Sequence, residues 1–274
     1  MGRVVSLPDW APDGVDTTVP NAARVYDYAL GGYHNFAVDR EFAEQAMKAW
    51  PGIGRVAYAN RAYLGRAVEW LVDAGVRQFL DIGSGIPTLG NVHEVAQALT
   101  PEARVMYVDI DEVAVTHSQA ILAGNTRAAA VQGDLRRPQG ILADPRVQEL
   151  LDFGQPVAVL LVAVLHFVAD EDDPAGIVRE LSDALVGGSY VAVSHFTRTT
   201  GLDQEQDQVT KLYDQTPTSV RARTPQQVAT ILGGLELVEP GVVPATAWHP
   251  DPEEEREPEQ AAVLAAMGYK PARS

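Results

Sequence analysis

Three carboxylates stand where apolar runs end: Asp81, Asp109 and Asp134. Asp81 closes the run that begins Gln78-Phe79-Leu80 and is followed by Ile82, Gly83, Ser84 and Gly85. Two glycines at alternate positions let a backbone turn sharply and come close to a ligand, because neither carries a Cβ. At the carboxyl end of a parallel strand, such a turn is where open α/β sheets bind nucleotides. Asp109, at the tip of the next apolar run, suits a bidentate hydrogen bond to two ribose hydroxyls. Asp111 competes for that role but is also placed to cap the following helix, so Asp109 is favoured. Asp134 has two readings, an acceptor for an adenine amino group or the cap of a turn.

His166 ends a fourth apolar run, residues 156–166. A histidine there can take a proton near neutral pH, or it can simply line a pocket, and both readings stay open. His195, at the end of a fifth run, is a second catalytic candidate and Tyr33 a third. His34 and His93 read as local structure, and His249 falls beside an acidic stretch. No cluster of ligating residues compels a metal site. The acidic run at 170–173 reads as the approach to a helix, whose N-terminus favours negative charge.

These residues need a scaffold that gathers strand tips. Residues 78–87, 104–109, 128–135, 156–166 and 187–195 read as strands alternating with helical patterns, the alternation of a parallel α/β sheet. Residues 235–240 and 261–268 supply two more strands. Ahead of them, 21–75 reads as three helical pieces broken at Gly31-Gly32 and at 51–54. The last piece, about 55–74, carries Val56, Tyr63, Ala67 and Leu71 at helical spacing. A further helix is expected over 202–216, and Thr224 with Pro225 opens another as N-cap and first residue. The Pro/Asp-rich residues 1–20 are expected to be poorly ordered or draped on the surface, and 250–259 to form a charged, solvated loop.

The 21–75 segment also carries chemistry. Tyr26 and Tyr33 lie seven residues apart, and Arg24 and Tyr28 four apart, on shared helical faces if Gly31-Gly32 keeps the register. One reading is a tyrosine-rich helix packed on the sheet. The other is a flap from Tyr26 to Phe36 that closes over a ligand. Its aromatic faces would attract a cation, Asn35 or Arg61 would hold a carboxylate, and Gly31-Gly32 would be the hinge.

A family resemblance rests on Ala23-Arg24-Val25-Tyr26-Asp27-Tyr28-Ala29-Leu30-Gly31-Gly32-Tyr33-His34-Asn35-Phe36 and on Ala59-Asn60-Arg61. It continues through Gly90-Asn91-Val92-His93-Glu94-Val95-Ala96-Gln97 and Ala163-Val164-Leu165-His166-Phe167-Val168. With the acid–glycine turn, these segments make the chain similar to class I S-adenosylmethionine-dependent methyltransferases. More narrowly, it resembles the actinobacterial S-adenosyl methyltransferase family formerly filed as a domain of unknown function, from about residue 21 to residue 271. The resemblance implies an α/β fold: a Rossmann-like sheet of seven strands, the last antiparallel, with helices on both faces. It divides the chain into a flexible segment 1–20, a helical cap or lid 21–75, and an S-adenosylmethionine-binding domain 76–274.

The same resemblance implies S-adenosyl-L-methionine as cofactor. Asp81, Ile82, Gly83, Ser84, Gly85, Asp109, Ile110, Asp134, Leu135, Val164 and His166 would hold it. Tyr26, Tyr28, Tyr33, Asn35, Phe36 and Arg61 would serve the substrate or the lid. The implied reaction is in-line methyl transfer to a small molecule with S-adenosylhomocysteine leaving, for which alignment and exclusion of water are the main tasks. Two other readings stand beside it. One is a module on the same fold that binds the cofactor without turnover. The other is a nicotinamide-dependent oxidoreductase. Against the latter, Thr88 replaces the third glycine of the dinucleotide fingerprint and Pro87 interrupts the loop. The spacing from Gly85 to Asp109 also exceeds the about 20 residues of that pattern.

Composition sets outer limits. A chain of 274 residues can bury a sizeable core, and 46% hydrophobic with 7% aromatic residues suits an Ala/Val/Leu-rich α/β protein. No apolar run reaches the length of about 18 residues that marks a membrane span. Pro8, Asp9, Pro12, Asp13 and Asp16 stand where a signal peptide needs an apolar core, so a cytoplasmic location is expected. The net charge of −16, with Arg136-Arg137 as the only adjacent basic pair, offers no footprint for nucleic-acid phosphates. Cysteine is absent, which removes disulfides, thiol nucleophiles and thiolate metal sites.

Overall fold

The computed structural model describes residues 8, 10–11, 15–87, 90–216, 218–250 and 262–272. Its centre is a sheet of β1 (Gln78–Ile82), β2 (Arg104–Asp109), β3 (Ala128–Gln132), β4 (Ala158–Val162), β5 (Tyr190–Phe196), β6 (Glu236–Leu237), β7 (Val243–Pro244) and β8 (Val263–Tyr269). The order is β3-β2-β1-β4-β5-β8-β6, with β7 also on β8. β1 to β5 pair in parallel, and β8 runs antiparallel to β5. β1 and β4 are buried at every position, as strands covered on both faces must be, and so their sequences are continuous apolar runs rather than alternating ones.

The antiparallel last strand is present as expected, with one change at the edge beside it. The strand expected over 235–240 is regular only at Glu236 and Leu237, with the Val238 N–H still bonded to the Met267 carbonyl at 2.9 Å, and Val243 and Pro244 resume the same edge further along. Between them the Gly241 N–H bonds the Val238 carbonyl at 2.8 Å, with Gly241 at φ +83. Pro240 and Pro244 have no amide donor for a ladder, which splits one edge strand into two short ones.

α1 (Ala22–Ala29), α2 (Ala37–Ala49) and α3 (Ile53–Asp73) precede the sheet, the three pieces expected over 21–75. α4 (Val92–Leu99), α5 (Glu112–Ile121), α6 (Pro138–Leu142), α7 (Pro145–Leu150) and α8 (Pro174–Asp183) lie in the crossovers, and α9 (Asp203–Tyr213) and α10 (Pro225–Ile231) follow β5. Strand alternation sends Phe79, Val105 and Leu160 to one face, where α3 supplies Tyr63, Ala67, Val68 and Leu71. Leu80, Met106 and Val159 face the other side, against Ile177, Val178 and Leu181 of α8 and Val228 and Ile231 of α10.

Caps set several helix starts. Asp111 accepts the Val113 and Ala114 N–H groups at 2.6 and 3.3 Å, so it caps α5 and leaves the strand tip to Asp109. Asp173 caps α8 through the Gly176 N–H, after a single turn at Asp170–Asp172. Thr224 and Gln227 bond reciprocally at the start of α10, behind Pro225.

A buried ion pair ties the first two helices together. Arg24 Nε lies 3.1 Å from Asp39 Oδ2, with side-chain exposures of 4% and 0%. Arg24 also donates to the carbonyls of Asp16 and Val19, while Asp39 accepts the N–H groups of Asn21 and Phe36. Trp10 stacks on Phe36, and Ala11 and Val15 pack on the cluster of Phe36, Ile86, Val113 and Ala114. The N-terminal segment is therefore draped and anchored where it is described. The rest of 1–20, and the loop expected over 250–259 beyond Pro250, lie outside the described residues.

Asp39→Ala leaves the buried Arg24 charge unpaired, an effect of about 3–5 kcal/mol. Amide exchange is expected to show lost protection across 22–49 while β1, β4 and β5 stay protected.

Candidate active site

The strand order reverses at β1, which has β2 on one side and β4 on the other. The crevice beyond the carboxyl ends of β1 and β4 is thus the topological switch point, where open α/β sheets take ligands. The turn after β1 is fastened to β2 by the Gly83 and Ser84 N–H groups, which bond the Val108 carbonyl at 2.8 and 3.2 Å. Gly83 has φ +73, and a Cβ there would lie 2.3 Å from Val164 Cγ2, so the turns after β1 and β4 touch. Gly85 has φ +65 and nothing within 4 Å of where a Cβ would stand, so its backbone faces open space.

Asp109 closes this cradle. Its Oδ2 accepts the Gly85 N–H at 2.7 Å and its Oδ1 the Asp111 N–H at 2.8 Å. Each carboxylate oxygen keeps a second lone pair for a ligand hydroxyl. Burial pushes Asp109 up to about 6. Burial likewise raises Asp81 to about 7, opposed by Arg61 and reinforced by Asp109. Arg61 reaches in from α3 and donates to Asn91 Oδ1 at 3.2 Å. Ile82 and Leu135 are buried, whereas Ile110 is 54% exposed and offers an apolar face beside Asp109. Asp134 is engaged by its own neighbour: Arg136 approaches to 2.7 Å and holds the carboxylate below its ordinary range.

The turn after β4 is held from both faces of the sheet by consecutive residues of β5. Ala163 is left-handed at φ 56, a conformation that costs a non-glycine residue energy, and its N–H donates to Ser194 Oγ at 2.8 Å. Ser194 Oγ in turn donates to Asn60 Oδ1 of α3. On the opposite face, His195 Nε2 lies 2.9 Å from Arg223 Nη1, and its Nδ1 lies 2.8 Å from the Phe196 carbonyl. Arginine only donates, so His195 accepts at Nε2, donates from Nδ1 and is neutral. Burial pushes it down to about 4. Arg223 also donates to the carbonyls of Leu165 and Val168, both at 2.9 Å, and pairs with Asp170.

His166 sits in the turn so held. The Arg221 N–H bonds its carbonyl, its ring lies 5.7 Å from that of His195, and its Nδ1 is a buried atom without a partner. Burial, with His195 and Arg223 adding to it, holds His166 well below the ordinary imidazole range, so it is neutral near pH 7. His93 meets the Tyr107 hydroxyl at 2.8 Å and is local structure.

The residues expected to serve a lid or substrate divide. Tyr26 donates to the Ala57 carbonyl and accepts from Asn60 Nδ2, both at 3.0 Å. Tyr28 donates to Glu44. α1 ends at Ala29, so Tyr33 shares no helical face with Tyr26, and it is 77% exposed. Asn35 spends its amide protons on Asp27 Oδ2 and the Gly32 carbonyl, and so fastens the turn after α1 from within. The cation over the Phe36 ring is Arg24, 5.1 Å from its centroid. Gly31-Gly32 is a packed turn rather than a loose hinge: a Cβ on Gly32 would fall 2.0 Å from Asp27 Oδ1. Asn60, Ser194 and Arg223 had drawn no role of their own from sequence. The signal for Asn60 was a polar side chain on the apolar stripe of α3, between Ala57 and Tyr63. Among the described residues, no three of His, Asp and Glu converge as metal ligands, and no helix is long and apolar enough to cross a membrane.

An acid–glycine turn at the switch point, with a second buried acid on the neighbouring strand tip, defines a nucleoside-binding α/β protein. The family described as S-adenosyl methyltransferase matches residues 8–271, and the chain belongs to it, with S-adenosyl-L-methionine as its cofactor. A protein from Thermobifida fusca YX, provisionally described as a methyltransferase, is 40% identical with a TM-score of 0.90 over 97% of this chain and 100% of its own. A DUF574 family protein from Streptomyces avermitilis MA-4680 is 42% identical, with a TM-score of 0.88 over 93% of this chain and 99% of its own. The mitomycin 7-O-methyltransferase shares the fold, at 17% identity and a TM-score of 0.51 over 84% of this chain and 60% of its own. A search of curated proteins finds no match.

Gly83→Ala adds the Val164 collision to a backbone cost of about 1–3 kcal/mol, whereas Gly85→Ala carries the backbone cost alone. Denaturant unfolding is expected to rank Gly83→Ala as clearly the less stable of the two.

Proposed function

We propose that the chain transfers the methyl group of S-adenosyl-L-methionine to a small-molecule acceptor by in-line displacement, releasing S-adenosylhomocysteine. The observation that carries this reading is the cradle at Gly85, open in front and backed by the buried Asp109 carboxylate. When bound, the cofactor supplies an activated methyl group on a sulfonium. The rest is positioning and exclusion of water.

In this reading Asp109 takes the ribose hydroxyls and Ile110 covers one face of the adenine. Asp134 turns to the adenine amino group by releasing Arg136. Asp81 meets the ammonium of the methionine end, and Arg61 meets its carboxylate. Val164 and His166 form the wall nearest the reacting carbon. His166, neutral near pH 7, is the side chain on that wall able to take a proton where the nucleophile must lose one. His195, saturated by Arg223 and Phe196, fixes His166 rather than touching substrate. Tyr33 lies at the exposed rim of the lid. The net charge of −16 favours a small acceptor over a polyanionic one.

Calorimetric titration with S-adenosylmethionine and S-adenosylhomocysteine, with NAD as control, tests the assignment. Binding of the adenosyl ligands that Asp109→Ala weakens supports it; a folded protein that binds neither overturns it.

The Asp81 carboxyl adds a pH signature. Its folded value of about 7 exceeds the unfolded value of about 3.9, so the native state binds more protons between them. Its contribution to stability is therefore present below about pH 4 and lost as pH rises through about 7. An ionised Asp81 is the form that meets an ammonium. Affinity for S-adenosylmethionine is thus expected to rise from about pH 6 to about pH 8. Asp81→Asn should flatten that rise while making the ligand-free protein more stable at pH 8 in thermal unfolding.

A further inference from the structure

Five residues form an unbroken run of hydrogen bonds from the pocket wall to the lid. The Ala163 N–H donates to Ser194 Oγ at 2.8 Å, and Ser194 Oγ donates to Asn60 Oδ1. Asn60 Nδ2 donates to the Tyr26 hydroxyl at 3.0 Å, and that hydroxyl donates to the Ala57 carbonyl at 3.0 Å. Each hydroxyl accepts one proton and gives one, so the run has a single direction and its bonds polarise one another. Ser194 is 0% and Asn60 4% exposed, so loss of a partner would leave a buried polar atom unsatisfied.

The two ends matter. One is the left-handed residue that opens the turn bearing Val164 and His166. The other ties Tyr26 of α1 to the Ala57 carbonyl of α3, and α1 itself packs through Val25 on Phe42 and Ala43 of α2. In the middle stands an asparagine on a helix face otherwise filled by Ala57, Tyr63, Leu64, Ala67, Val68 and Leu71. Its amide accepts from Ser194 at Oδ1 and donates to Tyr26 from Nδ2, so one side chain joins the two hydroxyls.

We propose that Asn60 is a positioning residue that couples seating of α1 to the shape of the turn at 163–166, so that the cofactor pocket is complete only when the lid is closed. The consequence for binding rests on the methyltransferase reading; the coupling itself does not.

A double-variant cycle on the full chain tests this. Tyr26→Phe removes one oxygen and keeps the ring, although Tyr26 stands three hydrogen bonds from Ala163. Ser194→Ala cuts the run at the other end, and Asn60→Ala cuts it in the middle. Amide exchange at 163–168 is measured without ligand, and S-adenosylhomocysteine affinity by calorimetry. Tyr26→Phe is expected to speed exchange in that turn, and to weaken binding, each by about five-fold. The double variant is expected to be no worse than Ser194→Ala alone, because one run can be broken only once. Wild-type exchange at 163–168 in Tyr26→Phe, or effects that simply add, would overturn the coupling. If Ser194→Ala does not fold, exchange in Tyr26→Phe still decides. If the wild type fails to bind S-adenosylhomocysteine, the methyltransferase reading falls while the exchange arm still judges the coupling.

Discussion

The pocket depends on how β5 grips the turn after β4. Ser194 and His195 are neighbours in sequence, and a strand sends neighbours to opposite faces. Ser194 therefore meets the Ala163 N–H on the α3 side, while His195 helps place Arg223 against the Leu165 carbonyl on the other. A turn that begins with a left-handed alanine would relax if left alone. Bonds from both sides keep it in place. Because Val164 fills the space a Gly83 side chain would need, the same grip determines where the glycine turn can lie.

The site is also a place where the ligand-free protein carries electrostatic cost. Asp81 and Asp109 are buried carboxylates raised to about 7 and about 6 by burial, with Asp109 adding to the shift of Asp81 and Asp111 to that of Asp109. Arg61 and the Gly85 and Asp111 N–H groups offset only part of it. In the proposed reading a cationic, hydroxyl-bearing ligand answers both groups at once, and stability given up at two strand tips is the source of affinity for it.

Much of this was legible in the sequence because it rests on local rules. Continuous apolar runs ending in acids gave away the parallel strands, and side-chain caps at Asp173 and Thr224 marked helix starts. Asp111 was harder: only the bonds to Val113 and Ala114 separate a helix cap from a ribose ligand. What sequence could not show is long-range pairing. Arg223 has no motif around it, yet it is buried and holds carbonyls more than fifty residues away. Tyr33 looked like a partner of Tyr26 only while the helix was imagined to run past Ala29. The edge strand broke for a local reason: Pro240 ends the segment and Gly241 turns the chain before the edge resumes at Val243.

The β6/β7 edge of the sheet is built against strand addition. An exposed edge strand with free amides is a template on which another molecule can add a strand, the first step toward aggregation. Here that edge is two pieces of two residues each, separated by a proline–glycine turn and ending in a second proline. Neither piece is long enough to nucleate a ladder, and a high negative charge keeps like molecules apart. The interruption that makes β6 and β7 poor strands makes this edge a poor seed.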